Sequence, residues 1–160
     1  MDRTVEMLFG YRKTTLRLIE GLTMEALNTI PPGFNNNLIW NFGHVIVSQQ
    51  TICYPNAGLT PPMDGSLIEK YRRGTRPEQF VRREEFERLK KYADENLVRL
   101  DQDLQQQAFS SLKPFALPTY GLEIANVDDM LKMLLFHEGL HLGYCMALKR
   151  AMPHHSNRSL

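Results

Sequence analysis

Two histidines four residues apart, His137 and His141, stand in a stretch whose apolar residues recur at helical spacing. The stripe reads Met130, Leu134, His137, His141, Tyr144, Leu148, so two imidazoles take inward positions where leucine would be expected. A separation of four residues stacks side chains one turn apart on one face of a helix. Such a pair can chelate a metal through two ring nitrogens. A third histidine, His44, shares an apolar stripe with Trp40 and Val47, and Gly43 beside it lets a neighbouring segment approach closely. We expect His44, His137 and His141 to converge on one divalent ion. A lone inward histidine is more often a core residue bonded to a backbone carbonyl, and His44 alone is open to that interpretation. The pair resists it, because two buried imidazoles need two sets of partners.

Three neutral imidazoles with open coordination positions suit zinc, nickel, iron or copper. Three histidines and a water are the arrangement of catalytic zinc, whereas structural zinc closes with four protein ligands. Such an ion brings the pKa of its water to about 7 or activates a thiolate. Glu138 follows His137 and points about 100° away from it around the helix. It is a candidate base on bound water or an acceptor for an imidazole N–H, and the plainer alternative is a partly exposed helix glutamate. The run from His137 to His141 also matches H-E-x-x-H, the zincin motif, with Glu138 as general base. No Asp or Glu follows His141 to serve as a third ligand, which argues against a protease. Trp40 and Tyr144 are expected to pack, and Tyr120 is a weaker candidate for the pocket mouth. Cys145, among apolar residues, is expected to be a buried, inert thiol. His154 and His155 fall in a polar tail, residues 154–160, and are expected to be solvated.

The elements that must position these groups are helices. Periodicity predicts a first helix from about Arg3 to Leu22, with a stripe of Leu8, Tyr11, Thr15, Leu18 and Leu22. Thr23 can cap a short turn through Asn28. Pro31-Pro32-Gly33 breaks the chain, and a second helix runs from about Asn37 to Tyr54. Pro55 to Pro77 reads as a long loop with a short helix near Leu67–Tyr71, and loops of that length are often functional. A third helix spans about Val81 to Gln107, with Phe86, Leu89, Ala93, Leu97, Leu100 and Leu104 in one stripe. A loop around Lys113–Gly121 leads to the last helix, about Val127 to Met152, capped by Asn126. No segment alternates as a strand does. Four long amphipathic helices predict an all-α four-helix bundle, one domain over residues 1–153.

Bulk properties agree. The net charge is +1 from 19 basic and 18 acidic residues, which gives no reason to expect a nucleic-acid partner. Two cysteines, Cys53 and Cys145, make no disulfide framework. With no signal peptide and no run of about 18 apolar residues, the expectation is a cytoplasmic protein without a membrane partner.

Two motifs carry a resemblance. Trp40-Asn41-Phe42-Gly43-His44 is similar to W-x-x-G-H, and His137 to Gly143 is similar to H-x-x-x-H-x-G. With their separation, these resemble the DinB-like superfamily, which includes the YfiT-type metal-dependent hydrolases. The resemblance implies an up-down-down-up bundle and a metal, usually nickel or zinc, held by His44, His137 and His141. It also implies a small-molecule substrate, through hydrolysis or transfer of a low-molecular-weight thiol, and a homodimer. The alternative is a non-catalytic binding or structural homodimeric module of the same fold. Where the family often has Gln after the final Gly, this chain has Tyr144, so no role of that Gln carries over.

Overall fold

The computed structural model describes residues 1–152. His154, His155 and the expected polar tail lie outside the described residues. The chain is mostly helical: α1 Arg3–Ile19, α2 Met24–Asn28, α3 Leu38–Cys53, α4 Gly65–Tyr71, α5 Arg83–Gln105 and α6 Val127–Ala151. Short polar side chains start five of them. Asp2, Thr23, Asn37, Asp64 and Asn126 each accept from a backbone N–H of the first turn, satisfying amides that have no partner within the helix. Helix α1 ends at Ile19, earlier than expected, and Gly21 turns the chain with φ 77°.

Two expectations are corrected. The chain is not purely helical, because Phe115–Leu117 (β1) and Leu122–Ile124 (β2) pair antiparallel between α5 and α6. Strands of three residues are too short to show alternation, and Pro118 to Gly121 closes the turn, with Gly121 at φ 63°. The inward face of α1 is also shifted. Val5, Leu8, Arg12, Thr15 and Ile19 are buried, rather than a stripe running through Tyr11, Leu18 and Leu22. A fully buried arginine, Arg12, stands on that inward face, one residue beyond the Tyr11 position of the expected stripe.

The four long helices pack in a ring. Side-chain contacts give their directions. Arg12 meets Glu138 and Lys149 reaches the Leu18 carbonyl, so α1 and α6 run the same way. Gln49 bonds to the Asn96 carbonyl and Tyr54 to Asp103, so α3 and α5 also run together. Arg12 with Ala93, and Asp2 with Asp101, set α1 against α5 in opposite directions. Helix α3 is the innermost, and every residue from Leu38 to Gln50 is buried. Among the described residues, no helix is long and apolar enough to cross a membrane.

Candidate metal centre

Helix α3 delivers His44 and helix α6 delivers His137 and His141 to one place. Ring centroids lie 5.2 Å apart for His44–His137, 4.8 Å for His44–His141 and 4.5 Å for His137–His141. One nitrogen from each ring falls within 4.8 Å of the other two. Nitrogens sharing a tetrahedral zinc stand about 3.4 Å apart, from bonds of about 2.05 Å, so small ring movements suffice to share one ion. His44 and His137 are buried and His141 is half-buried.

Hydrogen bonds fix two of the rings. His44 Nδ1 lies 2.7 Å from the Tyr71 carbonyl, an acceptor only, so Nδ1 carries the proton and Nε2 keeps its lone pair. His141 Nδ1 lies 2.8 Å from Asn41 Oδ1. The Asn41 amide is oriented in turn by Nδ2 donating to the Asn37 carbonyl at 2.8 Å, which makes its oxygen the atom facing His141. Trp40 stacks on His44 with centroids 4.7 Å apart and an interplanar angle of 10°. Its indole N–H donates to Thr75.

Burial disfavours the charged form of all three rings. His44 is held below its ordinary value by desolvation, against the Tyr71 hydrogen bond. His137 is lowered to about 3 by burial and by the neighbouring His141 and His44. His141 is lowered to about 4 by burial and by His44. The folded protein therefore keeps these rings neutral while the unfolded chain takes up protons from about pH 6.5 downward. Metal-free protein is expected to be most stable above about 6.5 and to lose stability as pH falls toward 4 and then 3. Thermal unfolding of metal-stripped protein between pH 7 and 4 checks the sign, and a protein that gains stability on acidification contradicts it.

The Tyr71 carbonyl is available to His44 because Gly43 has no side chain. A Cβ at Gly43 would lie 2.5 Å from the Tyr71 ring. Tyr71 is itself held by its hydroxyl donating to Glu85 at 2.5 Å. We expect Gly43→Ala to push α4 off α3, at a cost of about 1–3 kcal/mol, and to weaken metal binding by loosening His44. Chemical denaturation and a metal titration of the variant read the two effects.

The other sequence candidates divide. Glu138 is outside the converging group: it is buried, with Oε1 2.8 Å from Arg12 Nε. Burial pushes its carboxyl above the ordinary range, and the guanidinium pulls it back. Tyr144 packs edge-on against Phe34 at 5.5 Å. Tyr120 packs against Phe136 and lines a cavity of about 560 Å³ with Leu122, Asp129 and Met133, whose lining includes none of the three histidines. Cys145 is buried, and its thiol is pushed up to about 12 by burial and by Glu138. Asn41, Ser48 and the Tyr71 carbonyl were not anticipated. Asn41 sits one turn before His44 on the same helix, which is a readable signal, whereas a backbone acceptor from a loop leaves none.

The arrangement offers three neutral nitrogen donors in a buried setting, a donor set that fits a divalent first-row ion. No curated protein matches the chain. The family model of the DinB superfamily matches residues 10–145, which includes all three histidines and most of the four long helices. The chain belongs to the DinB superfamily.

Proposed function

We propose that His44, His137 and His141 hold one divalent metal ion, zinc or nickel, and that the protein is a metal-dependent enzyme acting on a small molecule by hydrolysis or thiol transfer. The observation that carries this is the convergence of one nitrogen from each histidine within 4.8 Å. Three protein donors leave coordination positions open, as in catalytic sites. An ion held there would supply Lewis acidity at those positions. Around it, the Tyr71 carbonyl and Asn41 aim two imidazoles, and Trp40 excludes water from one face of His44.

The reading includes one cytoplasmic domain to residue 153, built as an up-down-down-up four-helix bundle, which the paired directions of the long helices support. It includes a homodimer, supported by Phe136 and Leu140, one turn apart on α6 and about half exposed at 51% and 47%. A non-catalytic module is favoured by one observation, that Glu138 is engaged by Arg12 and so is not free as a base. Screening metal-loaded protein against thiol acceptors and small esters separates the two. Turnover that is lost in His44→Ala supports the enzyme, and no turnover with a fully loaded centre supports the module.

A further inference from the structure

Two of the three imidazoles, His44 and His141, are held by hydrogen bonds, and every partner is a neutral group. His44 Nδ1 donates to the Tyr71 carbonyl at 2.7 Å and His141 Nδ1 to Asn41 Oδ1 at 2.8 Å. The Ser48 hydroxyl lies 3.3 Å from His44 Nε2. The converging group contains no Asp, Glu or Cys. Glu138, next in sequence to His137, has its charge matched by Arg12 at 2.8 Å. Burial and the rings' influence on one another, with the Tyr71 carbonyl at His44, make up the electrostatic setting.

Metal-bound histidines commonly donate their second N–H to a carboxylate, which feeds negative charge toward the ion. Here an amide oxygen stands in that place. A divalent ion among neutral donors keeps both positive charges, and a low-dielectric setting strengthens their pull on negative charge. Resting on the metal-centre reading above, we infer that Asn41, by supplying a neutral partner to His141, reserves the open coordination position for a small anionic ligand that binds through its charged atom. Asn41 is thus a positioning residue with a second consequence: it sets which charge class of substrate the centre accepts.

The substitution Asn41→Asp replaces the amide by a carboxylate of the same shape, so it changes charge with little change in volume. Two affinities should then move in opposite directions. The metal is held more tightly, by about tenfold, while an external anion is held about tenfold more weakly because the centre's charge is partly cancelled. A purely structural role for Asn41 would weaken both. Because Asn41 also donates to the Asn37 carbonyl, a second variant, Ser48→Asp, places a carboxylate beside His44 Nε2, on the side where the ion would bind, and should weaken anion binding by adding negative charge there directly.

The test is a titration of nickel-loaded protein with sodium azide, followed by absorbance, in the parent and both variants. Azide binding is expected in the parent, with a weaker azide Kd and a tighter nickel Kd in Asn41→Asp. Loaded variants that bind azide as tightly as the parent overturn this inference alone. A parent that takes up no nickel overturns the metal-centre reading, and this inference with it.

Discussion

Replacing Arg12 by alanine is expected to destabilise the protein by about 3–5 kcal/mol, because it strands a buried carboxylate. Arg12 is 1% exposed and Glu138 4%. The guanidinium donates from Nε to Glu138 at 2.8 Å, from Nη1 to the Ala93 carbonyl at 2.9 Å and from Nη2 to Gln49 at 2.8 Å. Those partners lie on α6, α5 and α3, so one side chain of α1 joins all four long helices. Gln49 extends the network by donating to the Asn96 carbonyl at 3.0 Å. Truncation leaves Glu138, Gln49 and a carbonyl without their donor in a medium that solvates none of them. Since whole domains are stable by only about 5–15 kcal/mol, the loss is a large fraction of the total. The double variant Arg12→Met, Glu138→Leu should recover much of it, because no buried charge is left over. Urea unfolding of the parent, the single and the double variant reads this directly. A single variant within about 1 kcal/mol of the parent, the ordinary range of a surface pair, would show that the pair does not tie the helices together.

The second large effect is stabilisation by metal. An ion that binds only the folded chain adds about 4 kcal/mol when its free concentration is about a thousand times its Kd. For a chain of this length that corresponds to a rise in melting temperature of roughly 8–16 °C. In His141→Ala most of the rise should vanish, because a ligand is gone and the chelating pair on α6 with it. The same substitution removes a half-buried imidazole whose charged form the fold disfavours, so the metal-free variant should resist mild acid at least as well as the metal-free parent. Differential scanning with and without added zinc or nickel separates the two. A variant that keeps the full metal-induced rise contradicts the assignment of His141.

Much of this was legible in the residues, and the limits have physical causes. The long helices announce themselves through apolar period and, for α6, through a cap: Asn126 is readable as an N-cap, and it caps. The three histidines were readable because imidazole in a core stripe needs an explanation and two of them stand one turn apart. What escaped is what the third dimension supplies. Arg12 interrupts the period of α1, and only a carboxylate 126 residues away makes its burial tolerable. The same carboxylate, Glu138, reads in sequence as a candidate base beside a metal; the structure pairs it with Arg12. The β1–β2 hairpin is too short to carry a pattern. The Tyr71 carbonyl that orients His44 is backbone, invisible in any side-chain motif, though Gly43 marked where something would come close.

The binding of one metal ion by His44, His137 and His141 underlies every other expectation for the site. It is tested most directly by elemental mass spectrometry of untagged protein from native-like expression, beside the double variant His44→Ala, His141→Ala. Untagged protein matters because a nickel column can load the site artificially. About one equivalent of zinc or nickel per chain is expected in the parent and little in the variant, as a site that needs all three donors requires. A parent that carries no metal and takes up neither zinc nor nickel on titration would contradict it, and would make the three histidines core residues, His44 held by Tyr71 and Ser48 and His141 by Asn41.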